Sequence, residues 1–309
     1  MPDWKSGLAA GVQPAFPPSV VVAVKALACE LPREHGLPLS RLFVPDIRNE
    51  AVRRGIVASI GETTIWRWLS EDAIRPWAHR SWLFPRDPDF EQKAGRVIDL
   101  YTGRWEGRPL RPDDCVLSTD EKTSIQARRR IHCPLSAAPG EVTRVEHEYQ
   151  RMGAWAYLAA WDVRRAKVHG RCERKTGIAA FERLVDQVMS QEPYCSARRV
   201  FWIMDNGSSH RGERSDDRLK ARWPTLFPVH TPVHASWLNQ VEVYFSILER
   251  KVLTPNDFRS LTELEDRILR FQDYHLRTAK PFEWKFTRRD LHKLLAKVHA
   301  REAAYAQAA

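Results

Sequence analysis

Three short stretches carry acids in an arrangement that suits divalent-cation chemistry: Ser118-Thr119-Asp120-Glu121, Ile203-Met204-Asp205-Asn206-Gly207-Ser208-Ser209-His210 and Leu238-Asn239-Gln240-Val241-Glu242. Asp120 follows the apolar pair Val116-Leu117, and Asp205 follows Val200-Phe201-Trp202-Ile203-Met204. Both runs are short enough for buried strands and are closed by polar residues. The two aspartates are therefore expected at strand ends, and in an open α/β sheet the ligand crevice lies outside the carboxyl ends of the strands. Glu242 belongs to a helix expected over 237–253, where Leu238, Val241, Phe245, Leu248 and Val252 recur at spacings of three and four. It borders that apolar stripe and is placed to reach the sheet. Glu249, seven residues on, faces the same way and is the rival third acid. Three carboxylates meeting at one crevice form an oxygen-rich site for Mg2+, with Mn2+ as a substitute, and two such ions about 4 Å apart support in-line phosphoryl transfer. Taken singly, each acid reads as a turn residue, a helix cap or a solvated helix face.

The elements that must position these acids follow from the same patterns. Strands are expected at 115–119, about 125–133, 151–161 and 167–173, then a helix at 177–190, the strand before Asp205 and a short helix near 216–222. An extended stretch at 225–229, the Glu242 helix and a last helix at 261–274 complete the series. Antiparallel strands followed by alternating helix and strand imply a mixed α/β sheet. The first 110 residues read as helical: a helix at 19–31, a second opening on Pro45 and ended by Gly55, a short one at 62–69, and one at 89–101, started by Asp87-Pro88, within an otherwise loop-like connector. In the one at 62–69, Thr63, Thr64 and Arg67 face out while Ile65, Trp68 and Leu69 face in. Helix, turn and short helix is the shape of a helix-turn-helix, whose second helix enters the DNA major groove; a small helical bundle gives the same pattern. On the first reading Arg75, Lys93 and Arg96 would hold phosphates. Trp66, Trp68, Trp77, Trp82, Trp237 and Trp284 are expected in cores rather than as base-stacking platforms. The division expected is a helical DNA-binding region over 1–76, a linker over 77–113 and a catalytic domain over 114–309.

Composition narrows the function classes. With 43% hydrophobic residues in 309, the chain can bury about two cores, and a wholly disordered chain is excluded. No apolar run approaches the ~20 residues of a membrane span, and no signal peptide is evident, so a cytoplasmic protein working on nucleoid DNA is expected. Cys29, Cys115, Cys133, Cys172 and Cys195 are scattered, with no Cys-x-x-Cys pair, which argues against zinc clusters and a disulfide framework. The net charge of +10 favours a polyanionic partner. Residues 1–113 hold 16 basic and 14 acidic side chains, net +2, so +8 lies in the half with the three acids. The clusters there are Arg128-Arg129-Arg130, Arg164-Arg165 and Arg288-Arg289, a surround that offsets repulsion between carboxylates and a phosphate backbone.

In combination, Val116-Leu117-Ser118-Thr119-Asp120-Glu121-Lys122-Thr123, Met204-Asp205-Asn206-Gly207-Ser208-Ser209-His210 and Thr231-Pro232-Val233-His234-Ala235-Ser236-Trp237-Leu238-Asn239-Gln240-Val241-Glu242 resemble the mariner-like bacterial insertion-sequence transposases. The resemblance spans roughly residues 20 to 290. It implies a ribonuclease H-like domain of the DDE type, with Asp120, Asp205 and Glu242 as the metal-binding catalytic triad and Asn206 and His210 as auxiliary positions. It also implies a helical part that binds terminal inverted repeats, double-stranded DNA as repeat and target, and a homodimer on DNA. The family's approach to the third acid reads Ser-Pro-x-Leu-Asn-Pro-x-Glu; Ala235-Ser236-Trp237-Leu238-Asn239-Gln240-Val241-Glu242 lacks both prolines, and 36 residues separate Asp205 from Glu242, a slightly long interval. Members generally begin with a further helix-turn-helix, and this chain reads as starting after it, which predicts weaker end recognition. Two alternatives stand beside an active transposase: another ribonuclease H-like nuclease, and an inactive remnant acting only as a DNA-binding protein.

Overall fold

The computed structural model describes residues 16–79, 85–207 and 212–308 of the chain, which divides into two compact units, 1–82 and 83–309. In the first, helices α1 (Pro18–Ala28), α2 (Val44–Arg53) and α3 (Glu62–Glu71) enclose Val24, Leu27, Ile47, Ala51, Ile65 and Leu69. Prolines open α1 and α2, where their missing N–H costs nothing. Asp46 accepts a hydrogen bond from the Phe43 amide at 2.9 Å, satisfying a donor at the start of α2. Gly55, at φ +69°, turns the chain out of α2 as the sequence predicts. Thr63 and Arg67 are exposed on α3 and Thr64 is half-buried, while Ile65, Trp68 and Leu69 face inward. Trp66 departs from the expected core role. It lies on the outer face of α3, 56% exposed, because 65, 68 and 69 define the inward stripe and 66 falls opposite it.

Glu50 is buried in this unit and is held by Arg53 and Arg54, the latter also reaching Glu30 at 2.7 Å. The hydrogen bonds from Arg53 and Arg54 lower its pKa to about 2 against the desolvation that opposes them.

The second unit begins with α4 (Phe90–Tyr101) and a small hairpin, β1 (Arg104–Trp105) and β2 (Arg108–Pro109). Glu106 and Gly107, both at positive φ, make its tight turn. The central sheet has the order β5-β4-β3-β6-β7, from β3 (Asp114–Arg129), β4 (Gln150–Asp162), β5 (Lys167–Glu173), β6 (Arg199–Met204) and β7 (Leu226–His230). β3, β4 and β5 pair antiparallel, and β6 and β7 run parallel to β3. This is the mixed α/β sheet expected. Helices α5 (Ile178–Met189) and α6 (Glu213–Arg222) cover one face, meeting Cys115, Leu117, Val200 and Trp202. The other face packs α4, α7 (Val241–Leu248), α8 (Leu261–Leu276) and α9 (Arg288–Ala308) against Val116, Tyr157, Trp161 and Ile203.

Four local expectations are corrected. The strands expected at 115–119 and 125–133 are one strand of 16 residues, β3, which crosses its polar middle through a bulge with Ser124 at φ +57°. The single helix expected over 237–253 is a 3-10 turn at Ser236–Leu238, then α7, then a π-helical turn at Glu249–Leu253. The helix at 261–274 does not close the fold, since α9 follows, placing Leu291, Leu295 and Val298 inward at spacings of four and three. Finally, the helix expected at 89–101 is present as α4, but it is part of the second unit and not a connector, for its Phe90, Ala94, Val97 and Ile98 lie in the main core. Asp99 of α4 is gripped by Arg288 through two hydrogen bonds of 3.0 and 2.6 Å, so that arginine fastens α9 and is not a free phosphate ligand. Lys93 is likewise paired, at 3.0 Å, with the buried Asp87.

The depressed carboxyl of Glu50 stabilises the folded first unit above the carboxylate's ordinary pKa near 4.5, and that contribution is lost as pH falls toward about 2. Glu50→Gln should therefore lower that unit's stability by about 2 kcal/mol at neutral pH. The difference from wild type should shrink on acidification; urea titrations at neutral and acid pH test this, and a pH-independent difference would remove the ion-pair explanation.

Candidate active site

β3 and β6 run parallel with Ser118 and Ile203 as register partners. Asp120 stands two residues beyond Ser118, and Asp205 two residues beyond Ile203. Side chains alternate along a strand, so Val116, Ser118, Asp120 and Lys122 share the β3 face that α7 covers. The residues opposite them on β4 agree: Trp161, Ala159 and Tyr157, the partners of Ser118, Asp120 and Lys122, all lie in the core on that side. Two aspartates thus emerge side by side at the carboxyl ends of the parallel pair, beneath a helix that carries Glu242 in its first turn. The helix amino terminus favours a carboxylate there.

Polar groups buried between β3 and α7 fix this meeting. Ser118 donates its hydroxyl to Asn239 Oδ1 and accepts from the Val241 amide at 2.9 Å. Asn239 Nδ2 donates to the Thr119 carbonyl at 2.7 Å and to Asp120 Oδ2 at 3.1 Å. The Tyr101 hydroxyl of α4 donates to the Leu238 carbonyl at 2.7 Å and accepts from the Gln240 amide at 3.2 Å. The first turn of α7 is therefore held by strand and helix alike. On the other side, Asp205 Oδ1 accepts from the Gly207 amide at 2.7 Å, an Asx turn that sets its carboxylate at the strand exit.

The Asp120 carboxyl is pushed up to about 7. Burial is the main cause, opposed by a hydrogen bond from the Glu121 amide and reinforced by the negative charges of Asp205, Glu242 and Glu121. The carboxylates thus lie within electrostatic reach of one another without forming a closed cage, for among the described residues no three Asp, Glu, His or Cys side chains meet as a ready ligand set. The donor set fits a hard divalent cation: all-oxygen, anionic, and carrying a mutual repulsion that a positive ion relieves. Asp120, Asp205 and Glu242 are the residues that would hold it. Glu249, the rival, is engaged elsewhere, its carboxylate 2.9 Å from Lys122 Nζ.

The remaining expected site residues separate into two groups. Asn206 donates to the Thr231 carbonyl at 2.7 Å and so pins the turn after β6 to the end of β7. His230 meets Asp216 at 2.9 Å, and His234 is exposed at φ +62°. His210 lies outside the described residues. Of the arginine triplet, Arg130 is absorbed in hydrogen bonds to the carbonyls of Glu146 and Asn256, and Arg128 stacks on Tyr149 at 4.6 Å; Arg129 is exposed. Arg75, in the first unit, is also exposed. Trp237 departs from the expected core role, being 38% exposed beside Phe286. Ser118 and Asn239 were quoted in the motifs with no role assigned. Their signal was the spacing, two residues before Asp120 on the same strand face and three before Glu242. Tyr101 gave none, being 137 positions from its partner Leu238.

An acid whose pKa is raised on folding makes the folded state bind a proton that the unfolded chain releases. Without metal, stability should therefore fall as pH rises from near 4 toward 7, and Asp120→Asn should remove that slope and melt several degrees higher at mildly alkaline pH. Thermal unfolding in a chelator reads both, and a variant with the wild-type slope would count against a raised Asp120. Asn239→Leu, which strips the donor from Asp120 while keeping the volume, should cost about 2 kcal/mol. It should also weaken Mn2+ binding by roughly tenfold or more, as loss of an outer-shell partner does. Calorimetric titration of Mn2+ tests the point; unchanged affinity would reduce Asn239 to a packing role.

No curated protein matches the chain in sequence. Residues 116–265 match the DDE superfamily endonuclease family. Among solved structures, the Mos1 mariner paired-end complex with Mn is similar at 13% identity and a TM-score of 0.54, covering 96% of this chain and 80% of that one. The Mos1 mariner paired-end complex with Mg is similar at 12% identity and a TM-score of 0.51, covering 97% and 83%. The Mos1 transposase paired-end complex with left transposon end gives 12% and 0.51, covering 94% and 80%. At such identities the likeness is one of fold. The three acids all lie within the stretch that matches the DDE superfamily endonuclease family, on a ribonuclease H-like sheet.

Proposed function

We propose that the chain is a DNA transposase that cuts and joins DNA at the inverted repeats of its own insertion sequence. The observation that carries this reading is the register-matched pair Asp120 and Asp205 facing Glu242, with the Asp120 carboxyl pushed up to about 7 by burial and by its acidic neighbours. Mg2+ or Mn2+, two ions when bound, would supply an activated water or 3′-hydroxyl and stabilise the leaving oxygen. In this reading Asp120, Asp205 and Glu242 would be the residues that hold the metal. Ser118, Asn239 and Tyr101 fix the start of α7 against β3, and the β3–β6 pairing with the Asp205–Gly207 turn fixes Asp205, so little reorganisation accompanies the reaction.

The first unit supplies repeat recognition in this proposal. α2 and α3 form the helix-turn-helix, and the exposed Thr63 and Arg67, with Thr64 at the rim, read base edges, while Arg75 holds phosphate. Joining of two ends by a homodimer on DNA is the assembly this chemistry calls for. The Mos1 structures, described as paired-end complexes with Mn and with Mg, support DNA and divalent ions as the partners here. Among the described residues no helix is long and apolar enough to cross a membrane, which is compatible with work on nucleoid DNA.

The decisive assay is cleavage of duplex DNA bearing the element's terminal repeats, in Mg2+ or Mn2+, by wild type and by Asp205→Asn. Cutting at the repeat ends by the wild type, reduced by about a thousandfold or more in the variant, is expected from losing a metal ligand. Repeat binding without cutting would support the DNA-binding remnant instead. Cutting of random and repeat DNA alike would support a general nuclease.

A further inference from the structure

The face of β3 that carries Ser118 and Asp120 continues to Lys122, and the helix surface that carries Glu242 continues, seven residues on, to Glu249 in the π-helical turn. Lys122 Nζ and Glu249 form an ion pair of 2.9 Å, both partly solvent-exposed. Beside it opens a cleft of about 230 Å³, lined by Lys122, Thr123, Ser124, Gln126, Arg128 and Asn256 among others. Its walls combine hydroxyls, amides, two cations, the Glu249 carboxylate that pairs with Lys122, and the apolar Ile125 and Leu253. The bulge at Ser124 opens it, since the left-handed residue there breaks the β3–β4 ladder immediately after Lys122. The Arg128 guanidinium, stacked on Tyr149 at 4.6 Å, adds positive charge to the lining.

We infer that this cleft is a subsite for a phosphodiester of the DNA strand flanking the reacting one, with Lys122 as a cation that leaves Glu249 for the phosphate when DNA enters. The inference rests on the nuclease reading above and adds residues that reading does not require. A cation is needed at this place. Asp120 and Glu242 repel every phosphate that is not bridged by metal, and Lys122 is the next side chain along the same strand face. Glu249 holds Lys122 until a stronger acceptor arrives, and the exposed Thr123 and Ser124 add neutral groups of the kind that position a phosphate without reading sequence, while Asn256 braces the wall through its bonds to the Arg128 amide and the Gln126 carbonyl. Lys122 is thus a phosphate-binding residue, separate from the acids that would hold metal.

The test measures binding of a short DNA duplex in calcium buffer across a range of salt, for wild type, Lys122→Gln, Lys122→Arg, Glu249→Gln and the Lys122→Gln/Glu249→Gln double variant. Losing one phosphate contact should reduce the slope of log affinity against log salt by about 0.9 in Lys122→Gln, and Lys122→Arg should restore it. Glu249→Gln should bind about threefold tighter, the scale of an exposed ion pair, and the gain should vanish in the double variant. Equal slopes in proteins that all bind DNA would overturn the subsite and leave the transposase reading intact. Absence of DNA binding by the wild type would overturn both. Should Lys122→Gln fail to fold, Glu249→Gln still decides, since unchanged affinity there contradicts a lysine held back by that carboxylate.

Discussion

The buried contact between Ser118 of β3 and Asn239 before α7 is the constraint on which the site depends. Both residues are almost wholly buried, and each makes a second bond across the same seam: Ser118 to the Val241 amide, Asn239 to the Thr119 carbonyl and Asp120. A buried serine or asparagine left without partners would destabilise the fold, so the pair is satisfied only at one register of helix on strand. That register brings the exposed Glu242 within electrostatic reach of Asp120. Slipping α7 by one residue would orphan the Val241 amide and turn Glu242 away by about 100°. The sheet contributes the other half, because parallel pairing of Ser118 with Ile203 carries Asp205 to the level of Asp120.

Around this seam the protein accepts an unfavourable electrostatic arrangement. The burial that lets α7 pack on β3 also removes water from Asp120, and Asp205 and Glu242 add like charge. A similarly buried aspartate elsewhere is handled in the opposite way. Desolvation would raise Asp114, yet the guanidinium of Arg199, the Arg111 amide and Arg198 hold it at about 2. Asp162, at the far end of β4, accepts from Arg165, Tyr194 and the amides of Arg164 and Arg165. Structural aspartates in this chain are matched with cations and amides. Asp120 has the Glu121 amide and Asn239 but acids as its charged neighbours, which is the pattern of a group reserved for a positive ligand.

Much of this was legible in the residues. The apolar run before Asp205 gave a true strand end, whereas Asp120 lies inside β3 and comes level with Asp205 because the β3–β6 pairing stops at Ser118 and Ile203; their motifs carried a resemblance whose DDE endonuclease part the family match over 116–265 bears out. Proline and glycine marked α2 correctly. The failures share one cause, tertiary context overriding a local signal. Glu121-Lys122-Thr123-Ser124 looks like a turn because it is polar, but pairing on both sides keeps it in β3 as a bulge. The run 237–253 looks like one helix because its stripe is continuous, yet the backbone changes from 3-10 to α to π so that Leu238, Val241, Leu248 and Leu253 all face the sheet. Segment 77–113 looks like a linker because its ends are loops, while the helix inside it supplies Tyr101 and the Asp99 anchor for α9.

Charge was the least legible property, for a physical reason. A sequence counts arginines but does not show which are already bound. Arg130 bonds two carbonyls, Arg165 bonds Asp162, Arg198 and Arg199 bond Asp114, and Arg288 bonds Asp99. Such groups still contribute to a long-range positive field, but an arginine fixed to an aspartate is neutralised locally and offers a phosphate little. Short-range contacts must come from cations on the surface or in weak exposed pairs, where leaving a carboxylate for a phosphate costs little. Arg129 and Arg67 meet the first condition, and Lys122 meets the second. The basic excess beyond residue 113 therefore divides in two, a paired share that braces the sheet ends and α4 against α9, and an accessible share that includes Arg129 and Lys122 and is open to a polyanion.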